Sequence, residues 1–367
     1  MPDQCDIIMP VWNQLEVTRE CVDSILRNTD FPFRLIVIDN GSDSAVREYL
    51  AGLGSANGVA CDVIRNERNL GFAAAVNQGI RASGSGYICI MNNDTVAAPG
   101  WLGEMISIMR SDPGIGILNP SSNTSGQFPP EGVSVDDYAA GLKSFKGRVE
   151  ELNTCRGFCM LLKREVVEKI GLFDEIYSVG YFEETDFCKR AVKAGFNLGR
   201  AKASYVYHKE GVSFKEIGGK DSIFSENEAI YFKRWGRLVR VAYILESGYS
   251  ARKVDDIALS VARAGHQILI FTKRKAAWPV SAEHFDIRRV DVGPAFCAVD
   301  SFVRILKRRK KKAVGLILTD SAPLGAFLNC TRLLHGADVI VAPEKEGVLK
   351  ALAARSSDLT GRYGNER

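Results

Sequence analysis

Short continuous apolar runs alternate with amphipathic stretches from the first residues of the chain onward. Cys5-Asp6-Ile7-Ile8-Met9, Phe33–Ile38, Cys61–Ile64 and Tyr87–Met91 read as strands. Between them Leu15–Leu26, Asp43–Leu53 and the Ala-rich Phe72–Ala82 carry helical periodicity. Strands that are apolar throughout, joined by helices, predict a parallel sheet with both faces covered. Ser42 or Asp43 suits the N-cap of the second helix.

Beyond Asp94 the alternation weakens. Trp101–Arg110 reads as a helix, Ile115–Leu118 as a strand and Ser121–Pro130 as a polar loop. Cys155–Leu162 reads as a strand, with a helix from Arg164, and Phe182–Ala194 has helical period. Ser204–His208 is a short aromatic strand, and Glu226–Trp235 is expected to close the unit as a helix. A second α/β unit starts near Arg237, with strands at 238–245, 267–271, 285–290, 314–318 and 339–341. Its helices fall at 251–264, 296–311 and 322–335. The expected domains are 1–236, 237–345 and a polar tail, 346–367, that frays beyond Arg355. The fold class is α/β: a mixed, mostly parallel sheet followed by a smaller Rossmann-like unit.

Three strands end in polar clusters: Pro10-Val11-Trp12-Asn13, Asp39-Asn40-Gly41-Ser42 and Asn92-Asn93-Asp94. Each alone is also an ordinary strand-to-helix turn. In a parallel sheet, however, their carboxyl ends share one edge, where open α/β folds bind ligands. A carboxylate flanked by amides there suits a divalent cation and the phosphate or ribose of a nucleotide. Two later clusters carry chemistry as well. Tyr181-Phe182-Glu183-Glu184-Thr185-Asp186 places acids at a helix start, where the macrodipole favours them and where a carboxylate could take a proton from a hydroxyl. His208 ends a strand, as a structural imidazole or a metal ligand.

Composition excludes more than it selects. The chain has 367 residues, 46% hydrophobic and 25% charged, with a net charge of +4, which argues against nucleic acid as a partner. No run approaches about 18 apolar residues and the start lacks a signal-peptide profile, so a cytoplasmic location is expected. Nine scattered cysteines read as reduced, buried thiols, and Cys155 and Cys159 lack the second pair of a structural metal site. Lys307–Lys312 is a run of six cations, expected as a solvated helix end or a patch for peripheral attraction to the inner face of a membrane.

The five clusters, in this order and spacing, resemble glycosyltransferase family 2, inverting enzymes of the GT-A fold, over about residues 5–236. Pro10-Val11-Trp12-Asn13 is similar to the family's P-V-[YW]-N, and Asp39-Asn40-Gly41-Ser42 to its V-D-N-G-S element. Asn69–Gly79 is similar to N-x-G-F-A-x-A-x-N-x-G, Asn92-Asn93-Asp94 stands at the DXD position, and Glu183-Glu184-Thr185-Asp186 at the E-D-x-D position. The subset resembled has rhamnosyltransferase-like members in surface polysaccharide synthesis.

The resemblance implies a nucleotide diphospho-sugar donor, a glycan or lipid-linked acceptor, and manganese or magnesium as cofactor. Donor-binding positions carried over are Pro10, Trp12, Asn13, Asp39, Asn40, Ser42, Asn69, Gly71, Asn77, Asn92 and Asn93. Asp39 would hold the base and Asn93 the ribose and diphosphate. Asp94 and His208 would hold the cation, and Glu184 would be the base. Glutamate replaces the family's usual aspartate there, moving the carboxylate by about 1.5 Å, so Glu183 and Asp186 stand as alternatives. Arg156, Lys143 or Lys209 could approach the diphosphate. The second unit resembles, faintly, the amino-terminal half of a GT-B enzyme through Leu259 and Gly265-His266-Gln267-Ile268. Two rivals are weighed: a nucleotidyltransferase, which needs a Gly-rich basic loop after the first strand, and a non-catalytic scaffold of the same fold.

Overall fold

The computed structural model describes residues 3–56, 60–177, 180–210, 220–246, 248–274, 276–293, 297–307 and 313–363. Beyond Lys307, the basic run through Lys312 lies outside the described residues. The chain divides into two compact units, Met1–Glu150 with Thr154–Ala229, and Glu151–Asn153 with Ile230–Arg367, against the expected break at Arg237.

In the first unit, β1 (Cys5–Val11), α1 (Leu15–Asn28), β2 (Phe33–Asn40), α2 (Ser44–Ala56), β3 (Cys61–Asn66), α3 (Phe72–Ala82) and β4 (Tyr87–Met91) follow the expected alternation. Next come β5 (Thr95–Ala97), α4 (Trp101–Ser111), β6 (Ile115–Ser121), α5 (Val135–Gly141), β7 (Val149–Leu152), β8 (Cys159–Lys163), α6 (Arg164–Ile170), α7 (Glu183–Lys193), β9 (Asn197–His208) and α8 (Lys220–Trp235). The strands form one mixed sheet in the order β3-β2-β1-β4-β8-β6-β9-β5, with β7 off that path on β9. β3, β2, β1 and β4 are mutually parallel, and β8 runs against both β4 and β6. This is the expected mixed, mostly parallel sheet.

Period-two side-chain alternation sends the strands' residues to two layers. Ile7, Met9, Val37 and Cys89 pack with Val22 and Ile25 of α1 and Trp101 and Met105 of α4. On the opposite face α3 rides close to β1: a Cβ on Gly79 would fall 2.3 Å from Ile8 Cγ2. The edge strand β3 exposes Asp62 and Arg65.

Several expectations are corrected. Residues 155–158 are not strand: the Asn119 side chain accepts from Arg156 N–H and donates to Arg156 C=O, which diverts the backbone from the ladder. β9 starts at Asn197 rather than Ser204, and a register shift opposite Pro120 and Ser121 breaks its regularity. Polar stretches hid β5, β7 and α5, the last capped by Ser134 accepting from Asp137 N–H.

In the second unit, β10 (Arg240–Ile244), α9 (Ala251–Arg263), β11 (Gln267–Lys273), β12 (Ile287–Val292), α10 (Cys297–Lys307), β13 (Leu316–Thr319), α11 (Ala322–Cys330), α12 (Arg332–His335) and β14 (Asp338–Val341) build an all-parallel sheet ordered β12-β11-β10-β13-β14. Val241 and Tyr243 face one core and Ala242 and Ile244 the other. The edge strand β12 exposes Arg288, Arg289 and Asp291. The expected helix 322–335 breaks at Thr331, whose hydroxyl bonds the carbonyls of Phe327 and Leu328. The expected polar tail is instead helix α13 (Lys345–Tyr363), anchored by buried Val348 and Leu352 one turn apart. Among the described residues no helix is long and apolar enough to cross a membrane.

Asp6 secures the start of β1. It is fully buried and accepts from Arg34, from the Ser83 hydroxyl at 2.7 Å and from the Gly84 and Ser85 amides. Burial raises its pKa, but Arg34, Ser83 and Ser85 outweigh that and hold it well below the ordinary 3.8. A depressed folded-state pKa contributes stability above the unfolded value and loses it as pH falls through the folded one. Asp6→Asn is therefore expected to lower unfolding free energy by about 2–4 kcal/mol at pH 7. In urea melts the gap should narrow below pH 3.8.

Candidate active site

Parallel pairing brings the polar clusters to one edge. Val11 pairs with Asp39 and Ile8 with Ile90, so β1, β2 and β4 end level with one another. β8 begins there, since Met91 pairs with Cys159, and β6 and β9 end there.

The β1 and β2 turns are stitched together. Asn13 and Gln14 hold left-handed backbone (φ 56° and 64°). Asn13 N–H donates to Ser42 Oγ at 3.0 Å, and Asn13 Oδ1 accepts from Asp43 N–H. Asp39 accepts from Ser42 N–H at 2.9 Å and pairs with Arg65. Gly41 is required: at φ +79° a Cβ would lie 2.7 Å from the Arg68 backbone. Pro10 lies within β1 beside Ile38, and Trp12 is half-buried beyond it.

Asn40 and Asn69 form an amide network behind this turn. Asn40 Oδ1 accepts from Asn66 Nδ2 and Leu70 N–H, and Asn40 Nδ2 donates to Asn69 Oδ1, which also takes Gly71 N–H. Gly71, at φ +87°, starts α3. Asn77 lies apart from the edge clusters: its amide grips Phe173 through both backbone groups and donates to Glu175.

The β4 turn supplies the charged corner. Asn93 Nδ2 donates to Thr18 Oγ1 at 2.9 Å, while Asn92 is tied through its backbone to Phe158 and Thr95. Asp94 Oδ1 lies 3.0 Å from His208 Nε2. Phe158 stacks on the imidazole with centroids 5.1 Å apart, and Asn123 grips both backbone groups of His208. His208 Nδ1 is buried without a hydrogen-bond partner. The 3.0 Å spacing suits two adjacent ligands of an octahedral cation with bonds of about 2.1 Å. No cluster of three or more His, Cys, Asp or Glu ligands occurs among the described residues, so a cation at this pair would need further donors from substrate oxygens or water.

The acidic corner is the first turn of α7. Tyr181 and Phe182 precede it at φ 72° and 73°, left-handed backbone that costs roughly 1–3 kcal/mol per non-glycine residue. Burial raises the pKa of Glu183 well above the ordinary 4.5, and the charge of Glu184 raises it further. Burial raises Glu184 too, partly offset by backbone N–H groups and Arg156. Both Oε2 atoms are buried without a hydrogen-bond partner. Asp186 is fully buried and bonded to the Tyr177 hydroxyl and, at 2.8 Å, to Arg190. That role as an internal tie of α7 removes it from the possible bases.

Residues 155–158 join the corners. Gly157 comes so close to α3 and α7 that a Cβ would sit 3.3 Å from Phe72 Cζ and 3.8 Å from Glu184 Cβ. Arg156 is held by Asn119, and Phe158 reaches His208. Lys209 donates its amide to Asp94 C=O and pairs with Glu20, while Lys143 is exposed in a short 3-10 turn. Sequence reasoning missed Thr18, Arg65, Asn119, Asn123 and Phe158, which stand outside the motif spacing. Only the invasion of an apolar run by Arg156-Gly157 hinted at the strap.

Residues 6–171 match the family model for glycosyl transferase family 2. An uncharacterized protein, y4gI, of Sinorhizobium fredii is 28% identical over 56% of this chain and 24% of its own length. Glycosyltransferase AglE of Haloferax volcanii is 25% identical over 52% of this chain and 62% of its own. The chain thus spans less than two thirds of these relatives. Among solved structures, S. aureus TarS 1-349 in complex with UDP-GlcNAc is 14% identical, with a TM-score of 0.47, over 72% of this chain and 73% of its own.

The acid pair yields a stability test. A carboxyl whose folded pKa is raised stabilises only below its unfolded value and loses that contribution as pH rises through the folded one. Glu183→Gln should therefore raise the denaturation midpoint at pH 7, and the gain should vanish below pH 4.5.

Proposed function

We propose, from the match of residues 6–171 to the family model for glycosyl transferase family 2, that this protein transfers a sugar from a nucleotide diphospho-sugar to an acceptor hydroxyl with inversion. The observation that carries the reading is an Asp94–His208 pair, 3.0 Å apart, linked through Phe158 and Gly157 to a buried carboxylate pair at the start of α7. The donor occupies the turns after β1 and β2. Trp12 faces the base, and Asp39 accepts from its N–H; Arg65 and Ser42 leave each carboxylate oxygen a second lone pair. Asn93, positioned by Thr18, meets the ribose and diphosphate.

Asp94 and His208 would hold a divalent cation, manganese or magnesium. When bound, that cation offsets the charge growing on the leaving group. Phe158 and Asn123 fix the imidazole so that Nε2 faces Asp94. Glu184 takes the proton of the acceptor hydroxyl as the hydroxyl oxygen bonds the anomeric carbon and the bond to diphosphate breaks. A single displacement of this kind inverts the anomeric centre. Burial, which raises the Glu184 pKa, makes the carboxylate a stronger base than one in water. Arg156 beside it keeps a usable ionised fraction.

The acceptor we propose is a glycan or lipid-linked glycan of surface polysaccharide synthesis, met in the cytoplasm or at the inner face of the membrane. The support is the resemblance of the five clusters to the rhamnosyltransferase-like subset.

Two measurements test this reading. In an assay of diphosphate release across a panel of nucleotide sugars, Asp94→Asn should lower kcat by about 100-fold or more. Glu184→Gln should lower it by about 100- to 10,000-fold while donor binding persists. Full turnover by Glu184→Gln would move the base to Glu183, and absence of manganese-linked binding of any nucleotide diphosphate would favour a scaffold. The base must be ionised, so kcat/KM should rise with pH along an acid limb centred above 4.5.

A further inference from the structure

α8 lies outside every cluster named above, yet it reaches the turn that presents the acids. Asn227 is 2% exposed, and its Nδ2 donates to Gly180 C=O at 2.7 Å and to Tyr181 C=O at 3.3 Å. One turn earlier, Phe224 packs on both residues that follow: its ring centroid is 5.4 Å from that of Tyr181 and 5.2 Å from that of Phe182. Tyr181 and Phe182 are the two consecutive left-handed, non-glycine residues immediately before Glu183. Neither has a side chain that favours such backbone, so something outside the turn must hold it. If either φ reverts, the chain enters α7 at a different angle and the first-turn carboxylates swing with it.

We infer that Asn227, with Phe224, is a positioning residue that clamps the 180–182 turn from α8 and thereby sets the placement of Glu183 and Glu184. The inference rests on the proposed role of Glu184 and extends it to a helix that contributes no group to the reaction. The amide suits the task because one Nδ2 can serve two carbonyl oxygens at once. Aspartate, nearly the same shape, cannot donate when ionised and sets a negative charge against both carbonyls. The clamp thus acts on the rate of transfer and leaves the donor turns after β1 and β2 untouched.

The test is Asn227→Asp, with Phe224→Ala as a second variant because Phe224 is 41% exposed and its loss spares the core. Hydrogen exchange of the peptide spanning 180–188 should speed up at least 10-fold in Asn227→Asp, with β1, β2 and β4 unchanged. In steady-state transfer, kcat should fall 10- to 100-fold while donor Kd, measured separately by calorimetry, stays within twofold. Phe224→Ala should show the same pattern more weakly. Unchanged exchange at 180–188, or kcat and donor affinity falling together, overturns the clamp. Should the wild-type chain release no diphosphate from any donor while exchange still responds, the proposed reaction fails and the clamp stands as a structural one. Should Asn227→Asp not fold, Phe224→Ala decides by the same two readouts.

Discussion

Everything at the candidate site depends on the register of β1 between β2 and β4. Parallel pairing of Cys5 with Phe33 and with Tyr87 sets the three strands level at their starts, and similar lengths then bring them level at their ends. The first unit therefore needs no long-range device to gather Asn13, Asp39 and Asp94; backbone hydrogen bonding does it. Asp6 guards that register at the opposite edge, where its four partners come from β2 and from the segment after α3.

Beyond the sheet, the site is held by amides more than by charges. Asn13, Asn40, Asn69, Asn93, Asn119 and Asn123 each bond a neighbouring turn or side chain. Amides can donate and accept at once without the desolvation penalty of a buried charge. Of the carboxylates near the edge, Asp94 lies beside His208 and Glu184 beside Arg156. Aspartates that sit elsewhere in the unit, such as Asp6 and Asp186, are neutralised by arginine.

The alternating half of the first unit was legible because its strands are mostly apolar runs and its turns carry Gly, Asn and Asp where the backbone needs them. The 155–158 strap was not, since Cys155 and Phe158 are as buried as any strand residue and only hydrogen-bond partners distant in sequence divert them. α13 was hidden for the converse reason: its apolar face, Val348 and Leu352 with Leu349 and Ala351 beside them, is set among charged and polar residues. Of the acids at 183–186, spacing alone could not tell a buried tie from an ionisable base. That distinction came from Arg190 and Tyr177 at Asp186, partners found only in the folded chain.

The charged outer strands have a consequence for how copies of this protein coexist at high concentration. β3 ends the first sheet with exposed Asp62 and with Arg65, which pairs with Asp39, and β12 ends the second with exposed Arg288, Arg289 and Asp291. A strand from another copy docking on either border would bury these ions against its own backbone. Lateral extension of the sheets is thereby disfavoured at these two borders.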